Sequence, residues 1–428
     1  YFEKTERKDA LIPFNWQIEF PEVFDLEVPQ ERRGFDVVLG NPPWVSYGLR
    51  DMEKLPQEWM RYYYDKLSMS AEYKISTYAL FMGRGISLLN SNGLLGFIVP
   101  DSFLLGRYFS KIRKYILNTT KIKEIVLILE DFWPHGTVGR SVIIILERED
   151  NEDVRRENMM TICCCETLKD LESRTFRTYH YEQAYFEASS HRRFRLFFDR
   201  ESKEFVDKVE SGSCHLDQFA SLYSGCIGRF GQESIISNNK RDEFVIRNSA
   251  GEIIYEDRKA FNKWRPLLES GSDIDRYVLM YKGKYVYFEP DEEKRKIYAK
   301  SGFDEKRYTD RKLFLRQTGD SLVATYDEGA CFCLNNMHVV NVLEHVKEYD
   351  IKYILAILNS KLMNHYYHLM SLELGRTLAQ TDIETIEELP IKKIDFKNEN
   401  ERKIYNEIVD KTNLLLLLNR QRVYLLRL

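Results

Sequence analysis

This 428-residue chain contains no apolar run long enough to cross a bilayer, which takes about 18 residues or more. The leucine run 414–418 stops at five residues, so no membrane span is expected. The opening Tyr-Phe-Glu-Lys-Thr-Glu-Arg-Lys is not a signal peptide. An excess of positive charge is also missing. The 63 Lys and Arg against 67 Asp and Glu leave a net charge of -4 and a pI of about 6.2. Binding of a polyanion by bulk charge is excluded, whereas a local basic cleft on an acidic protein is not. The seven cysteines include no C-x-x-C pair and no Cys/His cluster at zinc spacing, so no metal site is expected. Cys163-Cys164-Cys165 reads as a buried strand of small apolar side chains, and free thiols fit a reducing cytoplasm. No repeat or low-complexity tract is evident.

What is present suits a soluble protein of two to three domains. Hydrophobic residues make up 43% of the chain and charged residues 30%. Residues 1 to about 185 alternate strand and helix patterns. Strands are expected at Val37–Leu39, Leu94–Val99, Ile125–Leu129, Val142–Leu146 and Thr161–Cys165, and helices at Thr77–Leu89 and Phe103–Leu117. That alternation predicts an α/β fold with a mostly parallel, doubly wound sheet. A charged helix is expected over Arg193–Val209, with a boundary at Ser211-Gly212-Ser213. Beyond Leu216 come short mixed segments rich in Tyr, Phe, Lys and Arg. They are followed by a helix at Ile351–Met370, with Leu355, Leu358, Leu362 and Tyr366 on one face, and a terminal helix at Glu399–Leu428 whose leucines need a packing partner.

The densest chemical signal is Asn41-Pro42-Pro43-Trp44, placed directly after the apolar strand Phe35–Gly40. The Asn side-chain oxygen can accept one hydrogen bond from a planar NH2 group. The carbonyl of the first proline can accept the other, because the prolines stiffen the backbone and add no competing donor. The indole can stack on a flat base. Open α/β sheets bind ligands beyond the carboxyl ends of their strands, which is where this loop falls. Adenine, and less often cytosine or glutamine, carries the matching amino group. A proline-stiffened turn with a packed Trp is the structural alternative.

Phe14-Asn15-Trp16-Gln17-Ile18-Glu19-Phe20-Pro21-Glu22-Val23-Phe24, followed by Gly34-Phe35-Asp36-Val37-Val38-Leu39-Gly40-Asn41-Pro42-Pro43-Trp44, resembles the gamma-class adenine-specific DNA methyltransferases of type IIG restriction-modification enzymes. The likeness continues through Thr77-Tyr78-Ala79-Leu80-Phe81, Leu88–Pro100 and Asp131–Val138. It implies a partial Rossmann-like methyltransferase sheet followed by a mixed α+β target-recognition domain and a C-terminal helix. The divisions expected are 1–190 for the catalytic half, 191–214 for a linker helix, 215–395 for target recognition and 396–428 for the terminal helix. Asn41, Pro42, Pro43 and Trp44 would hold the adenine, with Phe132 or Trp133 stacking on it. His135 reads as a loop residue rather than a base.

The implied reaction moves a methyl group from S-adenosylmethionine to the N6 amino group of an adenine flipped out of duplex DNA, with no metal. Flipping costs a few kcal/mol, and stacking on aromatic rings offsets ~1–3 kcal/mol per base. The family carries a Gly-rich donor loop upstream of the catalytic loop. Only forty residues precede Asn41 here, with Gly34 and Gly40 as their only glycines. Gly225-Cys226-Ile227-Gly228-Arg229-Phe230-Gly231 lacks the expected Asp-Pro-Phe-type entry and opens no helix, so it does not qualify. The chain is therefore expected to be the carboxyl-terminal part of a longer enzyme, or one of two separately supplied pieces, with an N-terminal methyltransferase or nuclease portion elsewhere. The second half resembles target-recognition domains at Ser224–Gly228, Lys263–Leu268, Asp273–Tyr277, Phe314–Thr318 and Ala356–Leu362. Lys282, Lys284, Arg311, Lys312 and Arg316, interleaved with Tyr285 and Tyr287, are the DNA-binding candidates. Asn335, Asn336 and His338 are weaker candidates for base contacts. Pro290-Asp291 overlaps Glu292-Glu293-Lys294 too tightly for a nuclease centre. Two alternatives stand beside this reading: a DNA-specificity subunit without methyl transfer, and an amino methyltransferase acting on protein glutamine or RNA.

Overall fold

The computed structural model describes residues 14–25, 27, 29–47, 55–133, 139–329, 331–374 and 379–425. The chain divides into two compact units, Tyr1–Lys203 and Glu204–Leu428.

The first unit is built on a six-stranded sheet: β1 (Phe35–Gly40), β2 (Leu89–Pro100), β3 (Thr120–Ile128), β4 (Ser141–Arg148), β5 (Met159–Cys165) and β6 (Arg177–Glu182), in the order β1-β2-β4-β3-β5-β6. β1 pairs with β2, and β3 with β5, in parallel. β4 runs antiparallel between β2 and β3, and β6 runs antiparallel at the far edge. The sheet is therefore mixed rather than mostly parallel. β4 follows β3 and folds back beside it in antiparallel, a pairing that requires no helical crossover. The parallel strands β1, β2, β3 and β5 keep their carboxyl ends on one edge, as an α/β ligand site requires.

Alternation along β2 buries Leu95, Phe97 and Val99 on the face covered by the helices Thr77–Ser87 and Ser110–Thr119. Gly85 permits that approach, since a Cβ there would lie 2.7 Å from Leu95 Cδ1. Cys163, Cys164 and Cys165 are buried in β5. Among the described residues, nothing covers the opposite face at the β1 end. Val37 and Leu39 are 51% and 77% exposed, and their register partners Leu94 and Gly96 lie on the same side.

The helix expected at Phe103–Leu117 is broken. Gly106 takes an extended conformation (φ -58, ψ 135) between Ser102–Leu105 and a short 3-10 turn, and the regular helix starts at Ser110. The buried Arg113 guanidinium fills the gap. It donates to the carbonyls of Phe103 (2.7 Å), Gly106 (2.8 Å) and His191 (3.0 Å). The charged helix begins at Arg200 rather than Arg193, because Phe194, Leu196 and Phe197 are buried in irregular chain before it and Asp199 accepts from the Ser202 N–H at 2.7 Å.

The second unit holds two four-stranded sheets. One pairs Ile236–Ser237, Lys284–Tyr287, Trp264–Leu268 and Phe332–Cys333; the other pairs Ala324–Asp327, Lys312–Arg316, Met337–Val342 and Ala220–Ser224. An aromatic core of Phe244, Trp264, Tyr287, Tyr298, Tyr308 and Phe332 joins their strands. The single helix expected at Ile351–Met370 is two, Ile351–Asn359 and Lys361–Ser371. Ser360 leaves the helical conformation and caps the second helix by accepting from the Met363 N–H at 3.0 Å. The break resets the helical phase, so Leu362 is exposed while Leu355, Leu358 and Tyr366 are buried. The terminal helix, Glu399–Leu425 among the described residues, buries Tyr405 and Thr412; of its leucine run only Leu416 is half-buried, beside Val278 and Leu279, while Leu414, Leu415, Leu417 and Leu418 are exposed. None of the described helices is long and apolar enough to cross a membrane.

Candidate active site

Asn41 leaves the carboxyl end of β1 into an irregular loop. Pro42 is buried, Asn41 and Pro43 are exposed, and Trp44 is half-buried. Thr77, at the start of its helix, anchors the loop. Its hydroxyl donates to the Pro43 carbonyl and accepts from the Val45 N–H at 3.1 Å, and its own N–H donates to the Val45 carbonyl at 2.9 Å. A bridge between Ser46 and Ser76 and a 2.8 Å bond from Tyr47 N–H to the Ile75 carbonyl extend the clamp. Pro43 is thereby held, whereas among the described residues the Asn41 side chain and the Pro42 carbonyl have no hydrogen-bond partner. The role of Thr77 was not legible in its quoted motif, because its partner lies 34 positions away.

The second aromatic segment follows β3, whose carboxyl end shares the edge with β1. Two strands, β2 and β4, intervene, a span of ~14 Å at the usual strand spacing, and the indoles bridge it. The ring centroids of Trp44 and Trp133 are 5.3 Å apart at 71°, and those of Phe132 and Trp133 are 4.9 Å apart at 36°. Trp133 Nε1–H donates to Ser141 Oγ at 2.7 Å, fixing its ring at the start of β4. Phe132 packs on Val126, Ile128, Cys163 and Cys165. Trp44 and Trp133 touch edge to face, so no slot for a base lies between them in this arrangement. An outer ring face or a displaced Trp133 is needed for stacking. The Trp44 indole N–H is buried without a partner among the described residues. Residues 134–138, His135 among them, lie outside the described residues.

In the second unit the candidate cations separate sharply. Lys312 is a correction: its side chain is 0% exposed, with Nζ 2.5 Å from Asp327 Oδ2 and 2.5 Å from the Tyr308 carbonyl, so it belongs to the core and not to a phosphate-binding surface. Alternation along a strand buried on both faces put it there. Arg316 is half-buried and spends its guanidinium on the carbonyls of Gly271 (2.8 Å) and Ile274. Lys282 is exposed and pairs with Asp273 at 2.6 Å, Lys284 pairs with Glu269 at 3.6 Å, and Arg311 is exposed. Tyr287 is buried, donating to Asp257 at 2.6 Å. His338 is buried too, with Nε2 2.7 Å from the Thr381 carbonyl, and burial lowers its pKa. Asn335 accepts from Gln232 at 2.9 Å, and Asn336 donates to the Glu269 carbonyl at 2.7 Å. The base-contact reading of His338 is withdrawn on burial.

In the Gly225–Gly231 run, Gly225 and Gly228 are packed against backbone, while Gly231 stands open at φ +91°. A Cβ on Gly225 would lie 2.3 Å from the Leu334 carbonyl oxygen, and one on Gly302 would lie 2.2 Å from the Gly225 carbonyl oxygen. Neither a Gly-rich cradle at the carboxyl edge of the sheet nor a cluster of three His, Cys, Asp or Glu side chains suited to a metal occurs among the described residues.

Comparison with known proteins bears on both units. The profile of the Eco57I restriction-modification methylases matches residues 3–132, and that of the TaqI-like C-terminal specificity domain matches residues 265–391. A putative type II restriction enzyme and methyltransferase of Methanocaldococcus jannaschii is 26% identical over 391 residues, which is 91% of this chain and 29% of the relative. The type II methyltransferase M.HincII of Haemophilus influenzae is 22% identical over 423 residues, covering 88% of this chain and 77% of the relative. Among solved structures, the type IIL restriction-modification enzyme MmeI in complex with DNA matches in fold with a TM-score of 0.50 at 12% identity, over 92% of this chain and 55% of that one. This chain thus spans less than a third of the Methanocaldococcus relative.

Proposed function

We propose that this chain, which joins an Eco57I-like restriction-modification methylase segment to a TaqI-like C-terminal specificity domain, holds the acceptor base and chooses the site for an adenine-specific DNA methyltransferase of a restriction-modification system. The observation that carries the proposal is the pair of unused acceptors, the Asn41 side-chain oxygen and the Pro42 carbonyl, beside Trp44 at the carboxyl end of β1.

The adenine amino nitrogen is a poor nucleophile because its lone pair is delocalised into the ring. Two acceptors drawing its hydrogens out of the ring plane favour a pyramidal nitrogen. They also meet the positive charge that grows there with dipoles already in place. Thr77 makes this rigid by locking the loop just past the acceptors. Trp44 offers a ring to an extruded base, and Trp133 and Phe132 close the aromatic wall. The exposed Lys282 and Arg311, with the half-buried Lys284, suit phosphate contacts from the specificity domain. The sequence-based divisions at 190, 214 and 395 are retained as proposed functional limits.

S-adenosylmethionine is the donor such an enzyme uses to supply the methyl group. The described residues do not fit it: the carboxyl edge offers no Gly-rich cradle, and in the 225–231 run Gly225 and Gly228 are packed against backbone. No donor contact is therefore assigned to this chain. The exposed Val37 and Leu39 and, among the described residues, the unpaired edge of β1 suit the addition of a further sheet segment, which is where a donor-holding portion belongs.

The test uses isotope-labelled S-adenosylmethionine and mixed-sequence duplex DNA with this chain joined to a donor-holding methyltransferase portion, followed by digestion to nucleosides and identification of the labelled one. Label in N6-methyladenine, lost in Asn41→Ala, supports the proposal; label in N4-methylcytosine refutes the choice of base. The missing cradle favours one second reading, a specificity subunit. Sequence-selective DNA binding with no donor binding by calorimetry, with or without DNA, selects it.

A further inference from the structure

We infer that a basic, aromatic groove beside the catalytic loop grips the phosphate backbone of the DNA strand that carries the target adenine. The inference rests on the proposed DNA methyltransferase function and adds a substrate-positioning site to it.

The groove, of about 320 Å³, is lined by Tyr64, Glu72, Tyr73, Arg107, Tyr108, Ser110, Lys111 and His191, all in the first unit. Its two walls are tied together. Ser110 Oγ–H and the Lys111 N–H donate to the two oxygens of Glu72 at 2.9 and 3.0 Å, Lys111 Nζ donates to the Ala71 carbonyl at 3.0 Å, and Tyr64 donates to the Glu72 carbonyl at 3.0 Å. The carboxylate lining the groove is thus taken up by a hydroxyl and a helix N-terminus. The cations Arg107 and Lys111 are exposed at the surface. Lys74 sits 4.9 Å over the Tyr108 ring, and Tyr73, 76% exposed, lies 5.6 Å from the same ring. Ammonium, guanidinium and phenolic donors around an open slot are the groups that hold phosphate oxygens and sugars.

Position links the groove to the loop. The ribbon Val45–Tyr47 runs from Trp44 and is bonded to Ile75, two residues from Tyr73. At ~3.3 Å per extended residue, five residues span at most ~17 Å, or no more than about five phosphates along one strand. Arg107 and Lys111 come from the chain that follows the carboxyl end of β2, the neighbour of β1. Both walls therefore stand on the edge of the sheet that carries Asn41.

The experiment is fluorescence anisotropy of a labelled mixed-sequence duplex with the full chain, titrated from 50 to 200 mM salt. Each phosphate contact contributes about 0.9 to the slope of log K against log salt. The double variant Lys74→Gln, Lys111→Gln should lower the slope by about 1–2, whereas Lys114→Gln, on the same helix but outside the groove, should leave it unchanged. Tyr73→Ala, at an exposed position that cannot unfold the unit, should weaken binding about fivefold. Wild-type slope in the double variant together with wild-type affinity in Tyr73→Ala overturns the inference. The proposed function survives that result if Asn41→Ala still binds DNA and has lost transfer. Absence of duplex binding by the unaltered chain overturns both. Protection of Lys111 from acylation by millimolar inorganic phosphate but not by duplex assigns the groove to a free anion and also overturns it.

Discussion

Replacing Lys312 separates two physical roles that give opposite results. A surface lysine on a phosphate should, when changed to Met, leave stability alone and lower the salt slope of DNA binding by about 0.9. The structure predicts the reverse. The ammonium is fully buried between Asp327 Oδ2 and the Tyr308 carbonyl, both 2.5 Å away. Asp327 Oδ2 also accepts from the N–H groups of Cys331 (3.1 Å) and Gly329 (3.3 Å). Removing Lys312 leaves this carboxylate without its cation in the interior, a change that costs ~3–5 kcal/mol. With a urea dependence of ~3 kcal/mol per M, the unfolding midpoint of the second unit should fall by roughly 1–2 M. Adding Asp327→Asn keeps an oxygen for the backbone donors and removes the charge, so the double variant Lys312→Met, Asp327→Asn should recover most of the loss. Urea titrations followed by circular dichroism, together with the salt titration of DNA binding, read both quantities. A Lys312→Met chain with the wild-type midpoint and a reduced salt slope would refute the burial argument.

Three further outcomes follow from the same reasoning. Asn41→Ala removes one of two preplaced acceptors and should lower methyl transfer by roughly 10²–10³, with DNA affinity retained in the anisotropy assay. His338 is buried and its pKa is lowered from 6.5 chiefly by desolvation. The unfolded chain then binds the proton more readily than the native one, so stability is complete above pH ~6.5 and declines as pH falls below it; His338→Gln should flatten that part of a stability–pH curve. Burial raises the thiol pKa to about 11 for Cys165 and to about 12 for Cys226 and Cys331. A thiol reagent at pH 8 should therefore titrate the half-exposed Cys214 quickly and the other six only on unfolding.

The chemistry of the loop was legible in sequence because it is local. Prolines 42 and 43 set their own backbone angles, Asn41 carries its own acceptor, and an apolar strand before them fixes the edge on which they emerge. The strands β1 to β5 were located for the same reason, since alternation and β-branched runs are properties of neighbours in the chain, although β2 and β3 each begin five residues before the expected Leu94 and Ile125. Other features depended on partners distant in sequence. β6, Arg177–Glu182, is polar and largely exposed, so no apolar period announced it. The antiparallel insertion of β4 between β2 and β3 is a choice of pairing, to which side-chain pattern is blind. Lys312 looked like its charged neighbours Arg311 and Arg316 until Asp327 closed over it, and Thr77 looked like a helix start until it met Pro43. The sequence by itself determined which groups could hold an amino group and roughly where the strands lie. Only the tertiary structure decided which cations face water, which rings meet at the edge of the sheet, and that the β1 face stands uncovered among the described residues, because burial and pairing are settled by contacts between segments and not within them.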